Sequence, residues 1–369
     1  MSGGLDAVVS SLAGVADRVW PVLLFLVLIQ VVADLCDDAG LFDVGAHLAA
    51  RFGRGSRLLL FVLFCSLATA CTWVLSIDTT AVLLAPIGLA LASELGLSPL
   101  PFAFASIWLA NTASLLLPVS NLTNLLAQER LRLDPVAFVQ ATWVPQLAVL
   151  AAVLLVLLVR HRAALRGRYD VPRELPEVDR VLVRLAAVVV LLIGPAVVLG
   201  VPAWLTSLVA VVALVAGFAV RRPAAVAPRR LLSLVPWSVL VFAVVLFVVV
   251  DLLVTEARPL LTATFGSGGS LADLGQLAGV TVVLANVVNN LPAYLVVEPF
   301  AGTTERLVTA LVAVNVGPLL LAWGSLANLL WLRSCRRRGL EVSALGFGLE
   351  GLLVVPLAVA AGVLAVRFG

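Results

Sequence analysis

The polar side chains best placed for chemistry fall into four short runs, each set inside apolar sequence: Ser76-Ile-Asp-Thr-Thr80, Ser120-Asn-Leu-Thr-Asn124, Asn286-Val-Val-Asn-Asn290 and Gly324-Ser-Leu-Ala-Asn328. Asn111 and Asn315 stand at matching places upstream of the second and fourth runs. Hydroxyl and amide groups both donate and accept hydrogen bonds. Where a helix is interrupted inside lipid, its freed N–H and C=O groups need protein, water or solute as partners. Interrupted helices therefore line cavities, and their half-helix N-termini offer donors to an anion or a hydroxyl group. The candidate substrate- and ion-binding residues are Ser76, Asp78, Thr79, Thr80, Asn111, Ser120, Asn121, Asn124, Asn286, Asn289, Asn290, Asn315, Gly324, Ser325 and Asn328. A single Ser, Thr or Asn can do no more than join two membrane helices; it is the clustering that points to a site. Asp78 carries the sharpest signal. Inserting an aspartate at a helix centre costs roughly 2.5–3.5 kcal/mol, so one kept between apolar runs has a partner or a function.

The elements that position these runs are membrane helices. Of 369 residues 62% are hydrophobic and 12% charged, with a mean hydropathy of +1.14. A soluble domain keeps roughly 25% charged residues, so most of this surface does not face water. Apolar runs long enough to cross a ~30 Å hydrocarbon core recur along the chain. No basic n-region and compact apolar h-region opens the sequence, so no cleavable signal is expected. All 24 basic residues are arginine, and most of them cluster at 51–57, 160–184, 221–230 and 333–338. Placing all four clusters in the cytoplasm threads eight spans, at 20–35, 99–126, 138–159, 185–199, 203–220, 231–252, 306–332 and 343–366. It also makes 58–95 and 274–300 re-entrant hairpins, with tips near 76–80 and 289–292, and leaves the polar stretch 262–270 outside. The expected fold is an all-α, polytopic, multi-pass cell-membrane protein. It forms a single transporter domain, 1–369, with a first repeat at 20–160, a cytoplasmic linker at 161–184, an additional helix pair at 185–220 and a second repeat at 231–369. His47 and His161 fall in arginine-rich stretches and are expected at the solvated surface. Asp34 and Asp251 are expected at span ends in interfacial water, and Glu298 in a structural role. Cys36, Cys65, Cys71 and Cys335 lack metal spacing, and buried structural thiols are expected. No cofactor, metal or nucleic-acid partner is expected.

The repeat is legible directly. WPVLLFLVLIQVVADL at 20–35 matches WSVLVFAVVLFVVVDL at 237–252 in nine of sixteen positions, including the leading tryptophans and the aspartates Asp34 and Asp251. NTASLLLPVSNLTNLL at 111–126 matches NVGPLLLAWGSLANLL at 315–330 in eight of sixteen. Aliphatic identities come easily by chance; matched Trp, Asp and Asn in the same order do not. The threading runs the copies in opposite directions, giving an inverted-topology repeat with two re-entrant hairpins and two broken helices. That construction places a substrate site near the midplane between the copies.

At these motifs the chain resembles the ArsB-type arsenical efflux pumps, members of a wider ion-transporter superfamily. The residues that carry the resemblance are Gly40-Leu-Phe-Asp43 leading into His47-Leu48, the run 76–86, Asn111-Thr-Ala-Ser-Leu115 with Val119-Ser-Asn-Leu122 and Asn124, Val288-Asn-Asn-Leu-Pro-Ala293, and Gly324-Ser-Leu-Ala327 with Leu329-Leu-Trp-Leu332. The resemblance implies a scaffold and a mobile hairpin-bearing domain, a homodimer, an elevator-like shift and, in some assemblies, a soluble ATPase subunit. It implies proton-coupled export of arsenite or antimonite, a small inorganic solute moved with a coupling ion. Where the pumps tend to carry acids in their helix breaks, this chain has Asn111 and Asn315; Leu319 replaces a lysine and Ile77 an asparagine. Asp78 is thereby the only acid expected at a cavity tip.

Three other functions fit parts of the pattern. A sodium/proton antiporter of the same superfamily would use Asp78 for both cations in turn. A small-anion carrier would want positive charge at the site, and the threading puts no arginine there. An intramembrane serine protease at Ser325 would need a base within hydrogen-bond reach, and both histidines are expected in loops. A transporter rather than an enzyme is therefore expected.

Overall fold

In lipid, backbone polar groups have no partner but one another, and the chain folds almost wholly as helix. The computed structural model describes the backbone of residues 2–172, 174, 176–235 and 237–369. It describes side chains from 20 onward, except at 173, 175, 236, 238, 239, 242–244, 247, 248 and 251–257. Asp251 is among the excepted side chains, so its expected place in interfacial water lies outside the described residues.

The first half comprises α1 (Ser2–Asp38), α2 (Leu41–Phe52), α3 (Arg57–Leu75), α4 (Ile77–Glu94), α5 (Leu100–Thr112), α6 (Leu122–Leu131) and α7 (Pro135–Arg160). Two helices follow the linker, α8 (Arg180–Val198) and α9 (Ala203–Arg221). The second half comprises α10 (Pro228–Leu234), α11 (Trp237–Phe265), α12 (Leu271–Val288), α13 (Asn290–Val297), α14 (Thr304–Val316), α15 (Leu326–Arg337) and α16 (Ala344–Phe368). Among the described residues, Trp20–Asp38, α3, α4, α7, α8, α9, α12 and α16 are each long and apolar enough to cross a membrane. The chain is a polytopic α-helical membrane protein.

Most boundaries fall within a few residues of expectation, and the exceptions have local causes. The expected span at 231–252 begins instead at Trp237, because Val235, which precedes a proline in the sequence, is extended and ends a separate short helix, α10; the span then runs on to Phe265, into the stretch expected outside. The short helix α2 was not expected. It begins after Gly40, which adopts φ +82, and turns Phe42, Ala46, Ala49 and Ala50 into the core. The expected spans 99–126 and 306–332 are each two helices separated by a break.

Three arginine clusters are tied together at one end of the molecule. Arg57 donates to the carbonyls of Arg166 and Arg168, and Arg168 donates to that of Arg54. Arg221 pairs with Asp179 at 2.8 Å, while Arg222 and Arg230 bind the carbonyl and carboxylate of Asp38. The fourth cluster follows Trp331, whose ring lies 5.7 Å from Phe104, which stacks on His161 at the start of the linker. His161 is therefore buried between helices, not at the solvated surface as expected. A neutral imidazole is apolar enough to stack on a ring. His47 is half-buried, contacting Glu94 at 3.1 Å. All four cysteines are free and buried. Because Asp38 at the end of α1 binds Arg230, seven residues before Trp237, α1 ends where α11 begins.

Candidate functional site

The site is assembled from four interruptions, and each is a place where the sequence stops a helix and restarts it. Between α3 and α4 a single residue, Ser76, takes φ 95 and ψ 166; between α12 and α13 Asn289 takes φ 83 and ψ 160. That region of backbone space is essentially reserved for glycine, and a residue held there stores roughly 1–3 kcal/mol of strain. Around Ser76, Thr80 donates to the Ser76 carbonyl through both its amide (3.2 Å) and its hydroxyl (3.0 Å), and Thr72 donates to that hydroxyl. Around Asn289, the side-chain amide donates to the Trp323 carbonyl at 3.2 Å, and the Asn290 amide to that of Gly324 at 3.0 Å.

The other two interruptions share one design. Leu117 (φ −110, ψ 146) and Leu321 (φ −129, ψ 141) are extended, and the chain re-enters helix at Asn121 (φ −154, ψ 144) and Ser325 (φ −142, ψ 154). Asn121 and Ser325 both accept from a backbone amide of the helix they start. Asn124 donates to the carbonyls of Ser114 (2.6 Å) and Leu117 (3.0 Å); Asn328 donates to those of Pro318 (2.8 Å) and Leu321 (3.3 Å). These partners occupy equivalent positions in the aligned runs. The two breaks are cross-linked by amides, Asn111 to Asn328 at 3.2 Å and Asn121 to Asn315 at 2.8 Å.

All four interruptions meet at one cavity of about 80 Å³. Its polar lining is Ser76, Asp78, Asn121, Asn289, Asn290 and Ser325; the rest is apolar, from Phe25, Leu26, Ile77, Val119, Leu122, Leu291, Leu326 and Ala327. Ser76, Asn121, Asn289 and Ser325 each immediately precede a helix. Four helix N-termini, with their positive dipole ends, thus border the same space; part of their first-turn N–H groups is already bonded within the protein, as at Asn290 and Leu291 of α13. Asp78 sits in the first turn of α4, half-buried, with no hydrogen bond or ion pair to another described residue. Among the described residues no arginine lines the cavity.

The remaining expected site residues lie behind this lining. Thr79 and Thr80 are buried at the start of α4, with Thr80 bonded as above and Thr79 within 3.4 Å of Ser76. Ser120 donates to the Trp73 carbonyl, tying the first break to α3. Asn286 donates to the carbonyls of Val282 and Gly317, and its own carbonyl accepts from the Trp323 indole. Asn111, Asn124 and Asn328 are buried and support backbone, while Asn315, also buried, only accepts from Asn121. At Gly324 an added Cβ would lie 2.7 Å from the Pro318 Cα, so close backbone approach requires glycine there. Phe25 and Leu26 carry no sequence signal of their own, since an apolar wall and an apolar span use the same residue types.

The CitMHS family model, described as a citrate transporter, matches residues 4–327. The chain belongs to this family. Within it the chain is of ArsB type. It is 30% identical over 351 residues to the arsenical pump membrane protein of Yersinia enterocolitica, covering 88% of this chain and 81% of that one. It is 27% identical over 385 residues to an arsenical pump membrane protein of Escherichia coli, covering 93% and 87%. Its fold is similar to that of the YdaH transporter of Alcanivorax borkumensis, with a TM-score of 0.64 at 18% identity over 99% of this chain and 89% of that one. This CitMHS-family chain is a multi-pass membrane secondary transporter.

Proposed function

We propose that this transporter exports arsenite or antimonite in exchange for protons, with the cavity between the four interruptions as its solute site. The observation that carries this reading is the cavity's chemistry: four helix N-termini, amides and hydroxyls around a single carboxylate, Asp78, with no cation. Arsenite and antimonite are uncharged trihydroxides at neutral pH. Such a solute accepts from N–H groups through its oxygens and donates to amide or carboxylate oxygens. A citrate-like substrate would want fixed positive charge beside it.

A neutral solute gains nothing from the membrane potential, so its export needs an ion. One elementary charge moving through 100 mV is worth ≈ 2.3 kcal/mol, about a fifty-fold gradient. Asp78 is the group to carry that ion as a proton: protonated, it removes a charge from a poorly hydrated site; ionised, it returns the site to its other state. The matched backbone angles, the matched asparagine bonds and the meeting of α1's end with α11's start support an inverted repeat. The meeting of both hairpin tips with the breaks of α5–α6 and α14–α15 supports hairpins that turn back near the midplane, although α3, α4 and α12 are long enough to cross. The amide cross-links support both breaks moving as one body in an elevator-like shift. Expression in an arsenite-sensitive, efflux-deficient bacterium tests the reading: accumulation of arsenite or antimonite is expected to fall, and Asp78→Asn to restore it with the protein still folded. Unchanged accumulation with the folded wild-type chain would refute it.

A further inference from the structure

A second cavity, of about 290 Å³, lies beside the first at the end of the molecule away from the arginine clusters. Its walls are Pro21 and Val22 of α1, Leu125, Gln128 and Glu129 of α6, and the turn that joins α8 to α9. Trp20 and Trp204 pack against each other at this mouth, with ring centroids 6.0 Å apart and the Trp20 side chain half exposed, as aromatic residues do at a membrane–water interface. Phe25 is common to the two cavities. From it the two linings diverge along the same helices: Leu26 and Leu122 face the inner cavity, while Val22 and Leu125, a turn further out, face the outer one. The Phe25 side chain is 3% exposed, so its ring fills the space between them.

We propose that Phe25 is the outer gate of this transporter, closing the inner cavity from an outward-facing vestibule whose polar floor is Gln128 and Glu129. This rests on reading the inner cavity as the transport site. An apolar ring across a narrow passage excludes water as well as solute, which is how hydrophobic constrictions close channels. It therefore prevents protons from leaking to Asp78 while solute is held. The proposal assigns the direction in which this structure is shut: outward.

Thiol labelling from outside the cell tests the gate without reference to any substrate. The four native cysteines are buried, so the otherwise unaltered chain is the blank. Gln128→Cys reports the vestibule and Leu122→Cys the inner cavity, with a membrane-impermeant cationic methanethiosulfonate as probe. Gln128→Cys is expected to react readily in every background. Leu122→Cys is expected to react slowly beside Phe25, at least tenfold faster beside Phe25→Ala, and at an intermediate rate beside Phe25→Leu. Equal Leu122→Cys rates beside Phe25 and beside Phe25→Leu or Phe25→Ala would overturn the proposal. Should Phe25→Ala fail to fold, seen as altered Gln128→Cys labelling or elution, the Phe25→Leu pair decides alone. A gate found in a chain that moves no arsenite would refute the substrate and leave the gate standing.

Discussion

Removing the asparagine behind each broken helix is expected to destabilise the two breaks unequally, and the order follows from the bonds. Asn124→Ala takes a donor from the carbonyls of Ser114 and Leu117, and Asn328→Ala from those of Pro318 and Leu321. Leu117 and Leu321 keep another partner, the amides of Ser120 and Gly324. Each substitution therefore strips one buried carbonyl of its side-chain donor and weakens a second. A buried group left unpaired costs about 1–3 kcal/mol, and bonds between membrane helices average ≈ 0.6 kcal/mol each, so about 1–2 kcal/mol is expected for Asn124→Ala. Asn328 additionally accepts from Asn111, which retains the Ile107 carbonyl as its other acceptor. Asn328→Ala should therefore lose about 0.6 kcal/mol more, nearly a threefold change in the unfolding constant. Reversible unfolding in mixed micelles by titration with sodium dodecyl sulfate measures both. A loss for Asn124→Ala equal to or larger than that for Asn328→Ala would refute the reasoning, as would no loss for either.

Gly324→Ala is expected to abolish transport and lower the unfolding midpoint, because its Cβ would meet Pro318 backbone; Gly275→Ala, with open space around its Cβ, should be neutral or slightly stabilising in the same assays. Burial holds His161 below the ordinary histidine range, with Glu350 acting in the opposite sense. The unfolded chain then takes up the proton first, so folded stability is complete above about pH 6.5 and falls as pH drops below it, by at most ~1.4 kcal/mol per pH unit. Thermal unfolding between pH 7 and 5 should show that fall in the wild type and a flatter dependence in His161→Gln.

The fold was legible wherever long apolar runs left helix as the only outcome, and the interruptions were legible because Ser, Asn, Gly and Pro break such runs. What escaped has a common cause: its signal was composition shared with something else. Helix α2 is short and flanked by glycines, so its four buried residues, Phe42, Ala46, Ala49 and Ala50, read as a loop between spans. His161 was assigned by its arginine neighbours, whereas its burial depends on Phe104, 57 residues earlier in the chain. Arg306 reads as the polar start of a span. It is instead 2% exposed and donates to the carbonyls of Phe265, Gly266 and Gly268, closing the turn before α12. At the site, residue type located the four runs but did not separate lining from support. An amide that holds a broken backbone and an amide that faces a solute are the same side chain, and only geometry puts Asn121 in front and Asn124 behind.

The central claim is that Asp78 couples a neutral solute to a proton at the meeting of the four interruptions. Its most direct test is purified protein in proteoliposomes under an imposed pH gradient, with arsenite flux and internal pH followed together. Arsenite is expected to move against the proton flow, and Asp78→Asn to abolish both fluxes. Arsenite flux indifferent to the gradient, or an Asp78→Asn variant that retains both fluxes, would contradict the account.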